Sequence, residues 1–219
     1  MSDVQRVLIA DDHPLIRDGL RSVASVAFDR CELFEASSLD ELIQVVEEQG
    51  DFDLVMLDLQ MPGADGFSGL ETVRHRFPAL PVVIVSASSE RGLVREAMAR
   101  GAAGFIPKSL NRSTIVEALR VIMSGGVFTS EPPDQDSAVD HDANVEILTR
   151  IATLTPQQKR VLDLLADGLL NKQIAYELGV EIRTVKAHVS AILSKMNVAT
   201  RTQAVIQAKR VGLTRSVAD

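Results

Sequence analysis

Several short apolar runs in this sequence end on residues that can do chemistry. Asp58 ends the apolar run Val55-Met56-Leu57, and a loop rich in turn-forming residues follows it. A carboxylate at such a strand end suits a catalytic acid, a metal ligand or a nucleophile, and it also stands where a strand simply stops. Along the chain, the residues at such ends are Asp11 and Asp12, Asp58, Ser86 and Lys108.

Three clustered carboxylates repel one another and therefore favour a bound cation. Oxygen ligands of this kind favour a hard ion, and a partly hydrated ion held by few carboxylates suits Mg²⁺. With Mg²⁺ present, one carboxylate can act as a nucleophile toward a phosphoryl group. The metal and Lys108 would neutralise the transferred oxygens, and Ser86 would hydrogen bond a phosphoryl oxygen on Asp58. The cluster therefore predicts phosphoryl chemistry with Mg²⁺ as the cofactor.

The elements that must position these residues follow from the hydrophobic pattern. Apolar runs of strand length alternate with helical patterns, and the runs are continuously apolar, which is typical of strands buried on both faces. This alternation predicts a flavodoxin-like, doubly wound parallel sheet of five strands, whose carboxyl ends share one crevice. The predicted strands are 6–10, 31–36, 53–59, 81–87 and 104–107.

Charge divides the chain into two parts. Residues 1–150 hold 13 Lys and Arg against 25 Asp and Glu, whereas residues 151–219 hold 10 against 5, which together give the net charge of −7. An acidic body followed by a basic tail indicates two functions, the second of them on a polyanion. The alternative at this point is a chance gradient of surface charge.

The domain boundaries are predicted from a change of composition. Residues 128–144 hold two prolines and five acids and almost no large apolar residue, which is linker composition. We expect a first domain at 1–127, an acidic linker at 128–150 in which a short helix begins near Val145, and a second domain at 151–219.

The second domain is predicted to contain four helices. Thr155, Pro156 and Gln158 form the pattern of a capping box, which starts the first helix. Asn171 is expected to cap the second helix, and Gly179 to turn the chain after it. The third and fourth helices are predicted at 182–196 and 201–211.

The third helix of this domain has a face suited to DNA. Its apolar residues lie on one stripe, and the opposite face carries small residues, hydroxyls and cations. Such a face fits the major groove and also binds phosphates, although an ordinary solvated helix has a similar pattern. The residues on this face are Arg183, Thr184, Lys186, Ala187, Ser190, Ala191, Ser194 and Lys195.

The first domain resembles the receiver domain of two-component response regulators, through the motifs DDHP, LDLQMPGADG, VSAS and GFIPKS. The resemblance implies that Asp58 is the phospho-acceptor and that Asp11 and Asp12 hold Mg²⁺ with Asp58 and the backbone carbonyl of Gln60. It also implies that Lys108 contacts the phosphoryl group. Ser86 would then be the switch hydroxyl and Phe105 the rotating aromatic residue.

The tail from Leu154 to Ala204 resembles the LuxR-type helix-turn-helix, and the whole chain resembles the NarL/FixJ subfamily. This resemblance places Lys186, Ala187 and Ser190 against bases. Other residues that it assigns are Thr184 and Lys195, which would contact phosphates, and Val205 and Ala208 of the last helix, which would dimerise the tail on DNA. Glu181 stands where the family usually has a Ser or Thr helix cap, and it is a poorer cap.

These observations favour a regulator that a partner histidine kinase phosphorylates on Asp58 and that then binds double-stranded DNA as a homodimer. A second hypothesis is a constitutive DNA-binding dimer whose receiver is only an interaction module. A third is a phosphatase of the haloacid dehalogenase type. That class needs a second aspartate two residues after the nucleophile, where this chain has Gln60.

The composition also indicates the cellular compartment of the protein. A single cysteine, Cys31, excludes an internal disulfide framework and fits a reducing cytoplasm. No apolar stretch reaches the roughly 18 to 20 residues that a membrane span needs, and the first residues do not form a secretory signal. We therefore expect a cytoplasmic protein without a membrane partner.

Overall fold

The computed structural model describes residues 4–123, 128–129, 141–198 and 200–212. It divides into two compact units, one up to Met123 together with 127–130 and the other essentially from 131 onward. The elements of the first unit are β1 (Gln5–Ala10), α1 (Pro14–Ala27), β2 (Cys31–Ala36), α2 (Leu39–Gln49), β3 (Leu54–Asp58), β4 (Gln60–Met61), β5 (Ala64–Asp65), α3 (Ser68–Arg76), β6 (Val82–Ser86), α4 (Arg91–Ala99), β7 (Gly104–Pro107) and α5 (Arg112–Met123).

Five strands of the first unit form one parallel sheet in the order β2–β1–β3–β6–β7. The register pairs Ala10 with Leu57 and Asp58 with Val85, so the carboxyl ends of β1, β3 and β6 lie side by side. The doubly wound parallel sheet predicted from the sequence is confirmed. The sequence pattern did not predict β4 and β5, a short antiparallel pair in the loop after β3.

Alternate residues of the central strands fill two separate cores. In β1, Leu8 packs in the core that includes residues of α2, α3 and α4, whereas Val7 and Ile9 pack on the opposite face with α1 and α5. Because helices cover both faces, each strand must be apolar on both sides. This is the physical reason for the continuous apolar runs in the sequence.

The second unit is helical in the part that the structure describes. The four predicted helices are confirmed there, and a fifth, α6, packs with them. These elements are α6 (His141–Ala152), α7 (Pro156–Ala166), α8 (Asn171–Leu178), α9 (Ile182–Met196) and α10 (Arg201–Arg210).

Helix α6 extends the second unit beyond the predicted boundary at 151. Its Ile147 and Ile151 are buried, and it contacts α9 and α10. The sequence prediction placed most of this helix in the linker, because only its apolar stripe, and not its composition, separates it from the acidic segment before it. Residues 130–140, the middle of the predicted linker, lie outside the described residues.

Helix caps in the second unit agree with the sequence at two places and differ at one. The capping box of Thr155 and Gln158 is present, and Glu181 makes no side-chain cap, as expected. The prediction that Asn171 caps α8 is wrong, because Leu170 holds the cap position and Asn171 is the first helical residue. The Gln173 side chain accepts a hydrogen bond from the Leu170 amide at 2.8 Å, which satisfies one backbone donor at the start of α8.

None of the helices that the structure describes is both long enough and apolar enough to cross a membrane.

Candidate functional site

An acidic cluster lies at the carboxyl ends of β1 and β3. Asp11 and Asp12 follow β1 directly, and Asp58 is the last residue of β3, which pairs with β1. Asp11 is fully buried and Asp58 is 4 % exposed, whereas the Asp12 side chain is 34 % exposed. Two of the three carboxylates are therefore largely withdrawn from water, and the third is partly exposed.

Lys108 joins the two buried carboxylates. Its Nζ lies 2.7 Å from Asp11 Oδ2 and 2.9 Å from Asp58 Oδ2. Its backbone amide donates to the carbonyl of Ser86 at 2.7 Å, which fixes the start of the loop after β7. No cis peptide bond occurs among the described residues, so the bond between Lys108 and Ser109 is trans.

Burial and ion pairing act on these groups in opposite directions. Burial raises the pKa of Asp58 above its ordinary value, and the hydrogen bond from Lys108 only partly opposes this. Burial acts to lower the pKa of Lys108, but its hydrogen bonds to Asp11 and Asp58 outweigh burial and raise it. The lysine therefore stays charged, and it is the main compensation for the buried acids.

The remaining receiver residues predicted from the sequence lie around this cluster. Ser86 ends β6 and is 6 % exposed, and the backbone amide of Gln60 donates a hydrogen bond to Asp58. Phe105 is completely buried, in the core between the sheet and the α3–α4 side. The roles assigned to Ser86, Phe105 and the Gln60 carbonyl stay predictions.

His13 belongs to the same cluster, although the sequence reasoning did not single it out. Its Nδ1 lies 2.7 Å from Asp12 Oδ1, and its amide donates to Asp11 Oδ1 at 2.9 Å. Its position directly after the acidic pair was the signal that could have indicated this contact.

The cluster fits a magnesium ion by its donor chemistry and by its size. The possible ligand atoms of Asp11, Asp12, His13 and Asp58 all lie within 4.8 Å of one another. Opposite ligands of an octahedral Mg²⁺ are about 4 Å apart, because each Mg–O distance is about 2.1 Å. Small side-chain movements would bring the three carboxylates to that spacing, and imidazole is the less suitable donor for this ion.

The face of α9 predicted to meet DNA is accessible in the second unit. Ala187 is exposed, and Thr184, Lys186 and Ser190 are half-buried. The hydroxyl of Ser190 donates to the Lys186 carbonyl at 3.0 Å, so it is already engaged with the helix backbone. The opposite stripe is buried, as predicted, through Val185, Val189, Ile192, Leu193 and Met196.

The Lys195 side chain forms hydrogen bonds within its own domain. Its Nζ donates to Gln158 Oε1 at 2.9 Å and to the Thr153 carbonyl at 3.1 Å. Gln158 Oε1 also accepts the Thr155 amide in the capping box, so α9 is tied to the start of α7. The phosphate contact predicted for Lys195 stays a prediction, and it would compete with these bonds.

The prediction that Val205 and Ala208 form a dimer surface needs correction. Val205 is 2 % exposed and Ala208 is fully buried, because this face of α10 packs against α7 and α9. An apolar stripe on a short helix cannot reveal from sequence which of its sides faces the domain core. The outward apolar residue of α10 is Ile206, which is 50 % exposed.

Arg201 is a buried cation that the sequence reasoning missed. It is 9 % exposed, and its guanidinium donates to the Leu169 carbonyl and to Asn171 Oδ1, the latter at 3.4 Å. These bonds connect the first residue of α10 to the turn before α8. The side chain therefore helps to fix α8, the first helix of the helix-turn-helix, relative to α10.

A doubly wound sheet with an acidic crevice, followed by a helical unit with a helix-turn-helix, defines a receiver-type regulator. Comparison with known families agrees: residues 7–120 match the response regulator receiver domain, and residues 152–208 match the bacterial regulatory proteins of the luxR family. The chain belongs to the two-component response regulators that carry a receiver and a LuxR-type DNA-binding domain. It is a transcription regulator of the NarL-like group.

Individual relatives cover nearly the whole chain. The glycerol metabolism activator of Pseudomonas putida is 40 % identical over 95 % of this chain and 97 % of its own length. The nitrate/nitrite response regulator NarL of Escherichia coli K12 is 34 % identical over 91 % and 93 %. A solved structure of two RcsB dimers bound to two DNAs shares the fold at a TM-score of 0.54, with 23 % identity, and covers 95 % of this chain and all of that one.

Proposed function

We propose that Asp58 accepts a phosphoryl group from a phosphohistidine of a sensor histidine kinase. The P–N bond of the phosphohistidine breaks, a bond forms between phosphorus and an Asp58 carboxylate oxygen, and the released imidazole takes up a proton. The observation that carries this proposal is the Lys108 ammonium, held between Asp58 Oδ2 and Asp11 Oδ2 at 2.9 and 2.7 Å. A cation fixed there is placed to neutralise the phosphoryl oxygens.

We infer that Asp11, Asp12, Asp58 and the Gln60 carbonyl hold Mg²⁺. When bound, the ion supplies positive charge that shields the acidic cluster from an incoming anionic donor. The carboxylate of Asp11 is buried, whereas that of Asp12 is partly exposed and lies nearer to solvent. Lys108 then moves its ammonium from the two carboxylates toward the phosphoryl oxygens.

Phosphorylation would act through Ser86 and Phe105. The added oxygens would offer Ser86 a hydrogen-bond acceptor beside Asp58. Phe105 is already fully buried without the phosphoryl group, so phosphorylation would hold it in this inward position. Such a local change can shift the equilibrium between two conformations of the surface around β6 and β7. A complete shift would require about 5 kcal/mol of differential stabilisation between the two states.

The output of this switch is DNA binding by a homodimer in the cytoplasm. Helix α9 would enter the major groove with Lys186, Ala187 and Ser190 toward the bases and Thr184 toward a phosphate. Two copies would meet paired half-sites, as dimeric helix-turn-helix proteins do. We place the end of the receiver near 127 and the start of the DNA-binding unit at α6.

The proposal is tested by the intact mass of the protein after incubation with Mg²⁺ and acetyl phosphate. The wild type should gain one phosphoryl group and Asp58→Asn should gain none. The matched control Asp65→Asn, at an exposed aspartate of β5, should behave as the wild type. Oligomeric state and binding to selected DNA are read on the same samples. Equal DNA affinity with and without the phosphoryl group would instead support the constitutive binder.

A further inference from the structure

The peptide between the two acids at the end of β1 is held by an arginine of α1. Arg17 Nη1 donates to the carbonyl oxygen of Asp11 at 2.7 Å. On the other side of the same residue, the Asp11 amide donates to the Ala36 carbonyl of β2 at 3.1 Å. The Asp11 carbonyl belongs to the peptide plane that leads into Asp12, so this hydrogen bond fixes the direction in which the Asp12 side chain leaves the backbone.

Arg17 is itself held in place by Glu35 of β2. Its Nε donates to Glu35 Oε2 at 2.9 Å, and Arg21 Nη1 donates to Glu35 Oε1 at 2.5 Å. The side chain of Arg17 is 17 % exposed and that of Glu35 is 29 % exposed, so solvent competes with this pair only in part. Hydrogen bonds from Arg21 and Arg17 lower the pKa of Glu35, which keeps it an anion.

The guanidinium thus uses two of its donors for two different tasks. One edge is anchored on a carboxylate, and a second nitrogen reaches the carbonyl between the acids. A planar, rigid donor set suits this arrangement, whereas the single ammonium of a lysine has no fixed fork. Partners that orient metal ligands in this way typically change metal affinity by about 10- to 100-fold when they are removed.

We propose that Arg17, anchored by Glu35, is a positioning residue for the divalent-cation site, and that it holds the Asp11–Asp12 peptide in the orientation that binds Mg²⁺. The inference rests on the magnesium site of the proposed function. Arg17 touches neither the ion nor the phospho-acceptor, and its action on both passes through the backbone of Asp11.

Charge and positioning predict opposite effects when Arg17 is replaced. Removal of a cation near three carboxylates makes the site more negative, which by itself tightens Mg²⁺ binding. Loss of the bond to the Asp11 carbonyl frees the peptide plane and weakens binding. The direction of the change therefore separates a positioning role from a purely electrostatic one.

The experiment is a calorimetric titration of the full chain with MgCl₂. Arg17→Met is expected to raise the Kd for Mg²⁺ about tenfold or more, and Arg17→Lys, which keeps the charge but not the fork, by about threefold or more. Arg120→Met is the matched control, because Arg120 donates to the Ala27 and Val26 carbonyls at 3.1 Å at the other end of α1. It should keep the wild-type Kd.

Melting curves recorded without metal are used to choose a titration temperature at which every variant is folded. If Arg17→Met has an unchanged or lower Kd for Mg²⁺, the inference is overturned while the magnesium site stands. If Arg120→Met raises the Kd equally, the rise reflects a general loss of stability, and the inference is overturned as well. If Arg17→Met does not fold, Arg17→Lys decides, and an unchanged Kd in that variant overturns the inference. If the wild type itself binds no Mg²⁺, the proposed magnesium site fails and the inference fails with it.

Discussion

Lys108 and Asp58 form an ion pair of 2.9 Å in which both partners are largely buried. The same ammonium lies 2.7 Å from Asp11, so one cation compensates two anions. This leaves the cluster short of positive charge, and burial, with a smaller contribution from the nearby Asp11 carboxylate, raises the pKa of Asp58. The excess negative charge of this site favours the binding of a cation.

Replacing Asp58 by Asn should stabilise the protein at neutral pH in the absence of metal. Because burial raises the folded-state pKa of Asp58, its contribution to stability is present below the unfolded value, near 3.8, and is lost as the pH rises through the folded value. The gain of Asp58→Asn over the wild type should therefore grow as the pH rises from about 4 toward about 8. Melting temperatures in EDTA across this range measure it. A less stable variant at neutral pH would mean that the ion pair with Lys108 outweighs the cost of burial.

Replacing Lys195 by Met should cost the DNA-binding unit about 1 kcal/mol of its free energy of unfolding, since charged hydrogen bonds to Gln158 and the Thr153 carbonyl are lost. Urea unfolding of the full chain measures this cost. The slope of log affinity against log salt for DNA tests the phosphate contact predicted for Lys195, because without that contact the slope stays as in the wild type. A slope lowered by about 1 would identify Lys195 as a phosphate contact instead. Lys159→Met makes the same charge change on α7 and controls for net charge.

Two neighbouring residues of α10 should respond in opposite ways. Val205→Ala opens space in the core and should cost about 1 to 3 kcal/mol of stability. Ile206→Glu changes a half-exposed side chain and should leave stability within about 0.5 kcal/mol of the wild type. If α10 pairs two DNA-bound copies, Ile206→Glu should lower the cooperativity of binding to a two-half-site DNA. Unchanged cooperativity would place the dimer contact elsewhere.

Gly104 of β7 should not tolerate a side chain. An added Cβ would lie 2.5 Å from Ile122 Cδ1 and 3.2 Å from the Phe128 carbonyl oxygen, and Ile122 is buried. Gly104→Ala is therefore expected to lower stability by about 1 to 3 kcal/mol. Gly92 of α4 has open space around it, so Gly92→Ala should raise stability by about 0.5 to 1 kcal/mol. Chemical unfolding of both variants tests the pair, and equal effects would contradict the packing argument.

The local features of this protein were determined by its sequence. The five strands, the acids at their ends and the Thr155–Gln158 capping box follow from patterns within a few residues of one another. The hydrophobic period and the capping pattern involve residues within one or two helical turns of one another. They can therefore be recognised from the sequence alone. The strand ends also brought Asp11, Asp58 and Lys108 together, because parallel strands share one carboxyl edge.

The tertiary structure alone decided which groups touch across long stretches of chain. Lys195 bonds to Gln158 across 37 residues, and Arg17 is anchored on Glu35 across 18. The same holds for the burial of Val205, which depends on how α7 and α9 pack on α10. A side chain with several donors has many possible partners in the sequence, and only the packing of whole elements against one another selects among them.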